Sequence, residues 1–214
     1  YRIDRTLAFG FGLDVEYAKI KTTAAIDFGT IDQVLTGGAF GGVPAGSDGA
    51  TASEADSWGA GFVVGLLYEP RPGTRIGVDY HSKIRQKLSG DATFDLGGPV
   101  GQGIAAVSGA FRNTTIDATL DMPAMAAIGV YHEIDARWTV MADVKWTQWS
   151  SLGSLRVNFG NPAQPPVQTP YDWRDSWFVA VGGRYRFSEG AALRFGSGVM
   201  LNENIKHQLA NHMQ

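Results

Sequence analysis

The feature that most constrains the fold is a hairpin of two long alternating segments, residues 58–88. In the first arm, Trp58 to Tyr68, apolar side chains fall mostly on even positions and small residues on odd ones. The second arm, Arg75 to Leu88, carries charged side chains on odd positions and apolar ones on even positions. A period of two indicates strands whose two faces meet different surroundings. Each arm is roughly twice the ~5–6 residues of a typical soluble strand and matches the ~9–11 residues of a membrane-crossing strand.

The same alternation predicts about seven strands in all. Aromatic residues at both ends of the first arm, Trp58 and Tyr68, are typical of the aromatic girdles of a transmembrane barrel. Pro123 interrupts the strand that follows the hairpin and predicts a bulge or kink, because proline lacks the ladder donor. The apolar phase shifts near residues 150–153, where we expect another bulge.

The predicted connections alternate between short turns and long loops, and the long ones cover about 22–57, 89–113 and 151–172. Tight turns on one side and long loops on the other are typical of outer-membrane barrels. We therefore predict an all-β fold, a transmembrane antiparallel β-barrel of the outer-membrane type. Residues 1–214 would form one partial barrel domain. The alternative is a soluble β-sandwich, which would not need loop lengths that are long on one side only.

Composition excludes several other classes. Charged residues make up 18% of the chain, the net charge is −3 and there is no cysteine. No apolar run approaches the ~18 residues of a membrane-spanning helix, and the mild acidity gives no electrostatic footprint for nucleic acid. No His or Cys cluster has metal-ligand spacing, so we expect neither a metal nor a cofactor.

Two sets of residues are candidates for binding a substrate. Apolar side chains in the long loops would form an exposed groove, or else pack only on the loops themselves. These are Ile31, Val34, Leu35, Phe40, Ile104, Val107 and Phe111.

The second set consists of basic residues that the alternation places inside the barrel. They would neutralise a carboxylate in transit, or form structural ion pairs with inward acids such as Asp14 and Asp143, because a buried charge needs a partner. This basic set is His81, Lys83, Arg85, Lys145, Arg184 and Arg194. The opposite, lipid-facing set is Phe62, Val64, Ile76, Val78, Ile128, Val140, Val144, Val179 and Phe195.

An enzyme would need a nucleophile and base within hydrogen-bond reach. Asp79 and His81 both point inward but are only neighbours along one strand. We therefore predict that the protein is not an enzyme.

Several segments together resemble the FadL-type outer-membrane transporters of long-chain fatty acids and other hydrophobic compounds. The resemblance rests on the hairpin motif from Trp58 to Ile84, on Leu120-Asp-Met-Pro123, and on the run from Trp138 to Ser150. Residues 13–21 and 172–185 also fit, in the same order and spacing. No single motif is decisive, but the combination is specific and covers nearly the whole chain.

The resemblance implies a fourteen-stranded barrel with an N-terminal hatch, of which this chain would be an internal piece. It implies multi-pass insertion into the outer membrane of a Gram-negative bacterium, assisted by the barrel-assembly machinery. It also implies transport of long-chain fatty acids or other hydrophobic compounds, such as aromatic hydrocarbons, across that membrane by facilitated passive diffusion. It also implies that Lys19 belongs to a carboxylate pocket, although the alternation places Lys19 on the outer face. The alternatives are a non-selective porin for polar solutes and a surface receptor or adhesin barrel.

Overall fold

A computed structural model describes residues 1–202, which form a single antiparallel sheet of 11 strands with two short helices. At nine and ten residues, α1 and α2 fall short of the apolar length that crossing a bilayer requires. The strands are β1 (Leu7–Asp27), β2 (Asp48–Arg71), β3 (Thr74–His81), β4 (Ile84–Asp95), β5 (Thr114–Met122), β6 (Met125–Glu133), β7 (Trp138–Thr147), β8 (Ser154–Phe159), β9 (Val167–Pro170), β10 (Ser176–Arg186) and β11 (Ala192–Asn202), and the helices are α1 (Phe28–Thr36) and α2 (Pro99–Ser108).

The strand order is β11-β10-β7-β6-β3-β2-β4-β5-β8-β9, with β1 paired along the other edge of β2. Three pairs, β3 with β4, β5 with β6 and β7 with β8, are each the two parts of one predicted crossing. Together with β1, β2, β10 and β11 they make the seven predicted strands, and β9 is additional. The interruption predicted at Pro123 is confirmed, because β5 ends at Met122 and β6 begins at Met125. Within residues 1–202 the sheet does not close on itself.

The sheet divides into two halves with different surfaces. We call β3, β6, β7, β10 and β11, with residues 7–17 of β1 and 58–71 of β2, the lower half. The upper half is β4, β5, β8 and β9, with residues 18–27 of β1 and 48–57 of β2.

One face of the lower half, which we call the outer face, is apolar. Residues directly opposed in paired strands share a face, so the register defines rows across the sheet. All residues of the predicted lipid-facing set share this face. One such row crosses all seven strands through Phe9, Leu66, Val78, Ile128, Val144, Val179 and Val199.

Aromatic residues mark both ends of the apolar outer face. Trp58 packs on Tyr17 at the upper end, with 5.1 Å between ring centroids and the rings tilted by 45°. Trp138 packs on Tyr185 at 4.7 Å at the lower end. The ten steps from Trp58 to Tyr68, rising about 3.3 Å each and tilted by about 40°, span roughly 25 Å, the height of a transmembrane barrel's apolar band.

The opposite, inner face of the lower half carries small, charged and methionine side chains. One row runs through Gly65, Asp79, Ala127, Lys145, Phe178 and Met200.

A bulge between β3 and β4 reverses which face of the sheet the odd-numbered and even-numbered residues occupy. Val63 pairs with His81, and Asp56 pairs with Ser89. Between these two pairs β2 covers seven residues, whereas the partner chain segment from β3 to β4 covers eight. One extra residue moves every following side chain to the other face. The prediction that Lys83 and Arg85 point inward is therefore wrong. Both lie outside and bind Asp121, with Lys83 Nζ 2.9 Å from Oδ2 and Arg85 Nε 2.8 Å from Oδ1.

The upper half buries its apolar side chains on the inner face. Leu88, Ala92 and Ile116 are almost completely buried there, and Phe94 and Phe159 pack against them. The outer face of the same strands carries polar residues such as Arg85, Ser89 and Asp91. The two faces have thus exchanged their polarity relative to the lower half.

The long connections are shorter than predicted, because strands occupy their ends. The first, expected over 22–57, is reduced to residues 28–47 between β1 and β2, and the second, expected over 89–113, to 96–113. The third, expected over 151–172, contains β8 and β9. The added strand segments are rich in Thr, Ala, Ser and Asp and lack the apolar alternation from which strands were predicted.

Helix α1 begins and ends with local signals. Its N-cap, Asp27, accepts a hydrogen bond from the backbone N–H of Thr30 at 2.9 Å. Gly37 ends it in the left-handed region, with φ 70°, where glycine carries no Cβ penalty. Pro99 starts α2 and Gly109 ends it in the same way.

Candidate functional site

A concave cavity of ≈ 760 Å³ lies on the inner face where the two halves meet. Its volume falls in the range of small-molecule sites. Met122, Met125, Phe178 and Met200 give it an apolar wall contributed by four strands. Its ionisable lining is Asp14, Glu16, His81 and Lys145.

The ionisable groups in the cavity differ in their neighbours. His81 lies between two carboxylates, with Nδ1 3.8 Å from Asp14 Oδ2 and Nε2 3.7 Å from Asp79 Oδ2. Lys145 is opposite Ala127 on one side and Phe178 on the other, and makes no ion pair within the described residues. Its ammonium group is thus available to a ligand beside the apolar wall.

A buried amide is hydrogen-bonded to Glu16, one of the residues that line the cavity. Gln86 has no exposed surface. Its Oε1 accepts a hydrogen bond from Ser57 Oγ at 2.6 Å, and its Nε2 donates one to Glu16 Oε1 at 3.2 Å. We call Glu16, Ser57 and Gln86 the polar layer. Gln86 was not among the predicted site residues, although it is a lone uncharged polar residue among the even positions of its strand, which are otherwise apolar or glycine.

The two helices are fastened to the inner face by aromatic packing. Phe28 of α1 is fully buried and makes an edge-to-face contact with Phe111 at 5.1 Å, and Phe111 makes another with Phe94 at 6.0 Å. Ile104 of α2 is also fully buried. Ile104 and Phe111 therefore hold the helices in place, and the prediction of an exposed groove does not apply to them.

Other loop residues predicted to form an apolar groove are exposed. The exposed fractions of Val34, Leu35 and Val107 are 82%, 56% and 61%. Phe40 is partly exposed and lies against Gly103 of α2, where a Cβ would come within 2.5 Å of its ring. Ile31 is half-buried. We call Val34, Leu35, Phe40 and Val107 the apolar patch.

A buried carboxylate positions the segment that carries Phe40. Asp32 accepts hydrogen bonds from the backbone N–H groups of Phe40 and Gly42, at 3.2 and 2.8 Å, and from the hydroxyl of Thr36. Burial by itself raises the pKa of Asp32, but the three hydrogen bonds outweigh it and hold the pKa below its ordinary value. The ionised carboxylate thus ties the end of the loop to α1.

The remaining predicted basic residues lie away from the cavity. Lys19 lies on the outer face, as the alternation predicted, and forms an ion pair with Glu54. Arg184 lies on the inner face of the lower half and donates to Thr139 Oγ1 at 3.0 Å and Tyr131 Oη at 3.3 Å. Arg194 is its direct neighbour across the strands. No group of three or more His, Asp or Glu side chains suited to a metal occurs in residues 1–202.

Comparisons with known proteins give one consistent result. The family described as "Outer membrane protein transport protein (OMPP1/FadL/TodX)" matches residues 1–205. A long-chain fatty acid transport protein of Escherichia coli O6:H1 is 26% identical over 212 residues, which cover 92% of this chain and 46% of that protein.

Solved structures agree on the fold. A FadL homologue of Pseudomonas aeruginosa superposes with a TM-score of 0.80 at 23% identity, covering 94% of this chain and 48% of the other. The toluene transporter TbuX of Ralstonia pickettii gives a TM-score of 0.68 at 23% identity, covering 94% and 53%. The chain thus spans about half the length of these relatives.

Proposed function

The chain belongs to the OMPP1/FadL/TodX family of outer membrane transport proteins, and on this premise we propose that the whole protein passes hydrophobic compounds inward through the outer membrane by passive diffusion. The substrates are long-chain fatty acids or uncharged hydrocarbons such as aromatic ones. The relatives are named as transport proteins, and we infer no catalytic role. Insertion by the barrel-assembly machinery stays a prediction.

The observation that carries this proposal is the cavity on the inner face. It combines an apolar wall of methionine and phenylalanine side chains with the ammonium group of Lys145, which has no ion-pair partner among residues 1–202. An apolar tail would gain about 0.8 kcal/mol for each CH₂ that it buries there. A carboxylate head would accept a charge-assisted hydrogen bond from Lys145, which is about twice as strong as a neutral one.

The apolar patch on α1 and α2 supports a separate first step. Exposed apolar clusters mark binding sites on proteins, and this one lies at the upper end of the sheet, above the core that surrounds Leu88 and Phe94. We infer that hydrophobic compounds are captured at this patch before they reach the cavity.

Uptake of labelled oleate and labelled hexadecane by cells carrying the full-length gene tests the proposal. Lys145→Met should reduce oleate uptake and leave hexadecane uptake unchanged, because only the acid uses the ammonium group. Arg85→Met is the matched control, since Arg85 lies on the outer face, and it should change neither. A protein that admits polar solutes as readily as oleate would be a porin, and one that admits none of these would be a receptor or adhesin.

The capture step has its own test. Changing Val34, Leu35 and Val107 together to Ser should weaken uptake of both substrates at low concentration, with the barrel still folded. Ile134→Ser changes a residue of similar exposure, 58%, in the turn between β6 and β7, and should leave uptake as in the parent. Equal uptake by the triple variant and the parent would rule out capture at the apolar patch.

A further inference from the structure

One row of the outer face changes from aromatic to basic side chains where the two halves of the sheet meet. Tyr17 pairs with Trp58, and their rings form the upper aromatic contact. Two residues beyond the last hydrogen-bonded pair of β2 and β4, the register places Lys87 level with Trp58. Lys87 in turn pairs with Thr119 of β5. Because tryptophan and tyrosine mark the interface between membrane and water, Lys87 lies at the depth of lipid head groups.

A second cation, Arg156 on β8, completes this row. Val157 pairs with Ala118, so the preceding Arg156 is level with Thr119 and shares its face. All three side chains that we call the basic row, Lys87, Thr119 and Arg156, are exposed. The two cations are separated by two strand spacings of about 4.8 Å each. One phosphate group between two long basic side chains can bridge that distance.

A polar concavity of ≈ 430 Å³ adjoins the basic row, and Thr119, Arg156 and Asn158 are among the residues that line it. Arg156 Nε donates a hydrogen bond to Asn158 Oδ1 at 3.0 Å, and Asn158 Nδ2 donates one to Asp117 Oδ2 at 2.9 Å. These bonds orient the guanidinium group at the edge of the concavity. Neither Lys87 nor Arg156 forms an ion pair within residues 1–202.

The carboxylates of the outer face lie in other rows. Asp121, which also lines the concavity, is already bound by both Lys83 and Arg85. The two rows above the basic row each contain one lysine and two carboxylates. These rows are Lys19, Asp56 and Asp117, and then Lys21, Glu54 and Asp91. The outer face is therefore positive at the basic row, next to the apolar band, and negative above it.

We propose that the basic row binds a phosphate group of an anionic lipid in the leaflet around the upper end of the barrel. A phosphate accepts charge-assisted hydrogen bonds, in bidentate form from Arg156 and as a point charge from Lys87, and the hydroxyl of Thr119 is a further donor. Basic residues next to a membrane surface attract anionic lipids in this way.

The position of the row favours a lipid over a free anion. The acyl chains of a lipid whose phosphate lies beside Lys87 would cover the apolar outer face below it, whereas inorganic phosphate has no chains to bury. The basic row lies on the opposite side of the sheet from the cavity, so this inference does not depend on the proposed transport.

Native mass spectrometry of the full-length protein in a neutral detergent, with lipid A added as a bisphosphorylated glycolipid, measures the binding. Lys87→Gln and Arg156→Gln should each weaken it about fivefold, the factor that corresponds to about 1 kcal/mol for one basic residue at a membrane surface. Lys87→Arg keeps the charge and should bind as the parent does. The matched control is Arg194→Gln, which removes an exposed cation from the inner face of the lower half and should leave the affinity unchanged.

Two further measurements use the parent protein alone and do not depend on the folding of any variant. Lipid A stripped of its phosphate groups should bind more weakly than intact lipid A, and millimolar inorganic phosphate should not displace the intact lipid. Equal binding of the stripped lipid would overturn the proposal, and displacement by inorganic phosphate would show a site for free anions instead. An unchanged affinity in the folded double variant Lys87→Gln/Arg156→Gln would equally rule out the basic row.

Discussion

The lower and upper halves of the sheet use the same alternation for opposite purposes. In the lower half the apolar rows point outward, as in the row that contains Val78 and Ile128. In the upper half they point inward, as with Leu88 and Ile116. The comparison teaches that alternation separates the two faces of a strand but does not show which of them points outward. The apolar face points outward where lipid surrounds the strand and inward where water does.

The largest effect should come from the upper core. Leu88→Ala leaves a cavity among closely packed neighbours and should lower the free energy of unfolding by about 2–5 kcal/mol. Ser89→Ala changes the next residue, on the exposed face, and should stay within about 0.5 kcal/mol of the parent. Urea unfolding of the full-length protein in lipid vesicles measures both. A larger loss for Ser89→Ala would mean that the faces of β4 are assigned the wrong way round.

The outer face of the lower half should reject charge. Val78→Arg places a guanidinium in the apolar band and should cost about 2–4 kcal/mol near the bilayer midplane. Ser89→Arg places the same group on the outer face of the upper half, in water, and should change stability by no more than about 0.5 kcal/mol. The same unfolding measurement compares them, and equal costs would contradict the different surroundings of the two halves.

A smaller effect is expected at the ion pairs just above the bulge. Asp121→Asn weakens the contacts of Lys83 and Arg85 on the outer face and should cost about 0–1 kcal/mol, because exposed ion pairs are solvated and screened. The loss should shrink as salt is added. A large loss that does not depend on salt would place these side chains inside the barrel.

The smallest and most local effect concerns the loop tied by Asp32. A pKa held below its ordinary value stabilises the loop above the unfolded pKa of about 3.9, and this contribution disappears as the pH falls through the folded pKa. Hydrogen exchange at Phe40 and Gly42 should therefore increase in acid, and Asp32→Asn should remove this pH dependence. Asp48→Asn, at a nearby exposed carboxylate, should leave it intact. Strand pairing in the lower half should show no such dependence on pH.

Sequence reasoning succeeded where one period of two runs through one environment. The lower-half strands and the members of their apolar face were predicted from alternation alone, and Pro123 marked one of the breaks. The prediction failed at Lys83 and Arg85, because the apolar residues on both sides of the bulge have even numbers. These are Ile76 and Val78 before it and Ile84 and Leu88 after it. Nothing in the spacing shows that the extra residue exchanges the faces.

The candidate site was predictable only in part, for a related reason. Exposed apolar residues such as Val34 and Val107 follow from composition and helical spacing. The packing of Phe111 does not, because it depends on ring contacts with Phe28 of α1 and with Phe94 of a distant strand. The polar layer arises where β1, β2 and β4 meet, and the cavity is lined by residues that lie as far apart in the chain as Asp14 and Met200. The sequence contains no local sign of either meeting.

Mapping lipid and water contact along residues 76–91 tests the exchange of faces most directly. Residues 1–214 contain no cysteine, so single cysteines introduced among them, with any cysteine elsewhere in the full-length protein replaced, can each carry one spin label. We predict that even positions up to Tyr80 contact oxygen dissolved in lipid, and that odd positions from Lys83 onward contact a water-soluble relaxation agent from outside. The buried even positions Gln86 and Leu88 should contact neither. One unbroken alternation, with Ile84 and Leu88 in lipid and Lys83 and Arg85 in the lumen, would contradict the account.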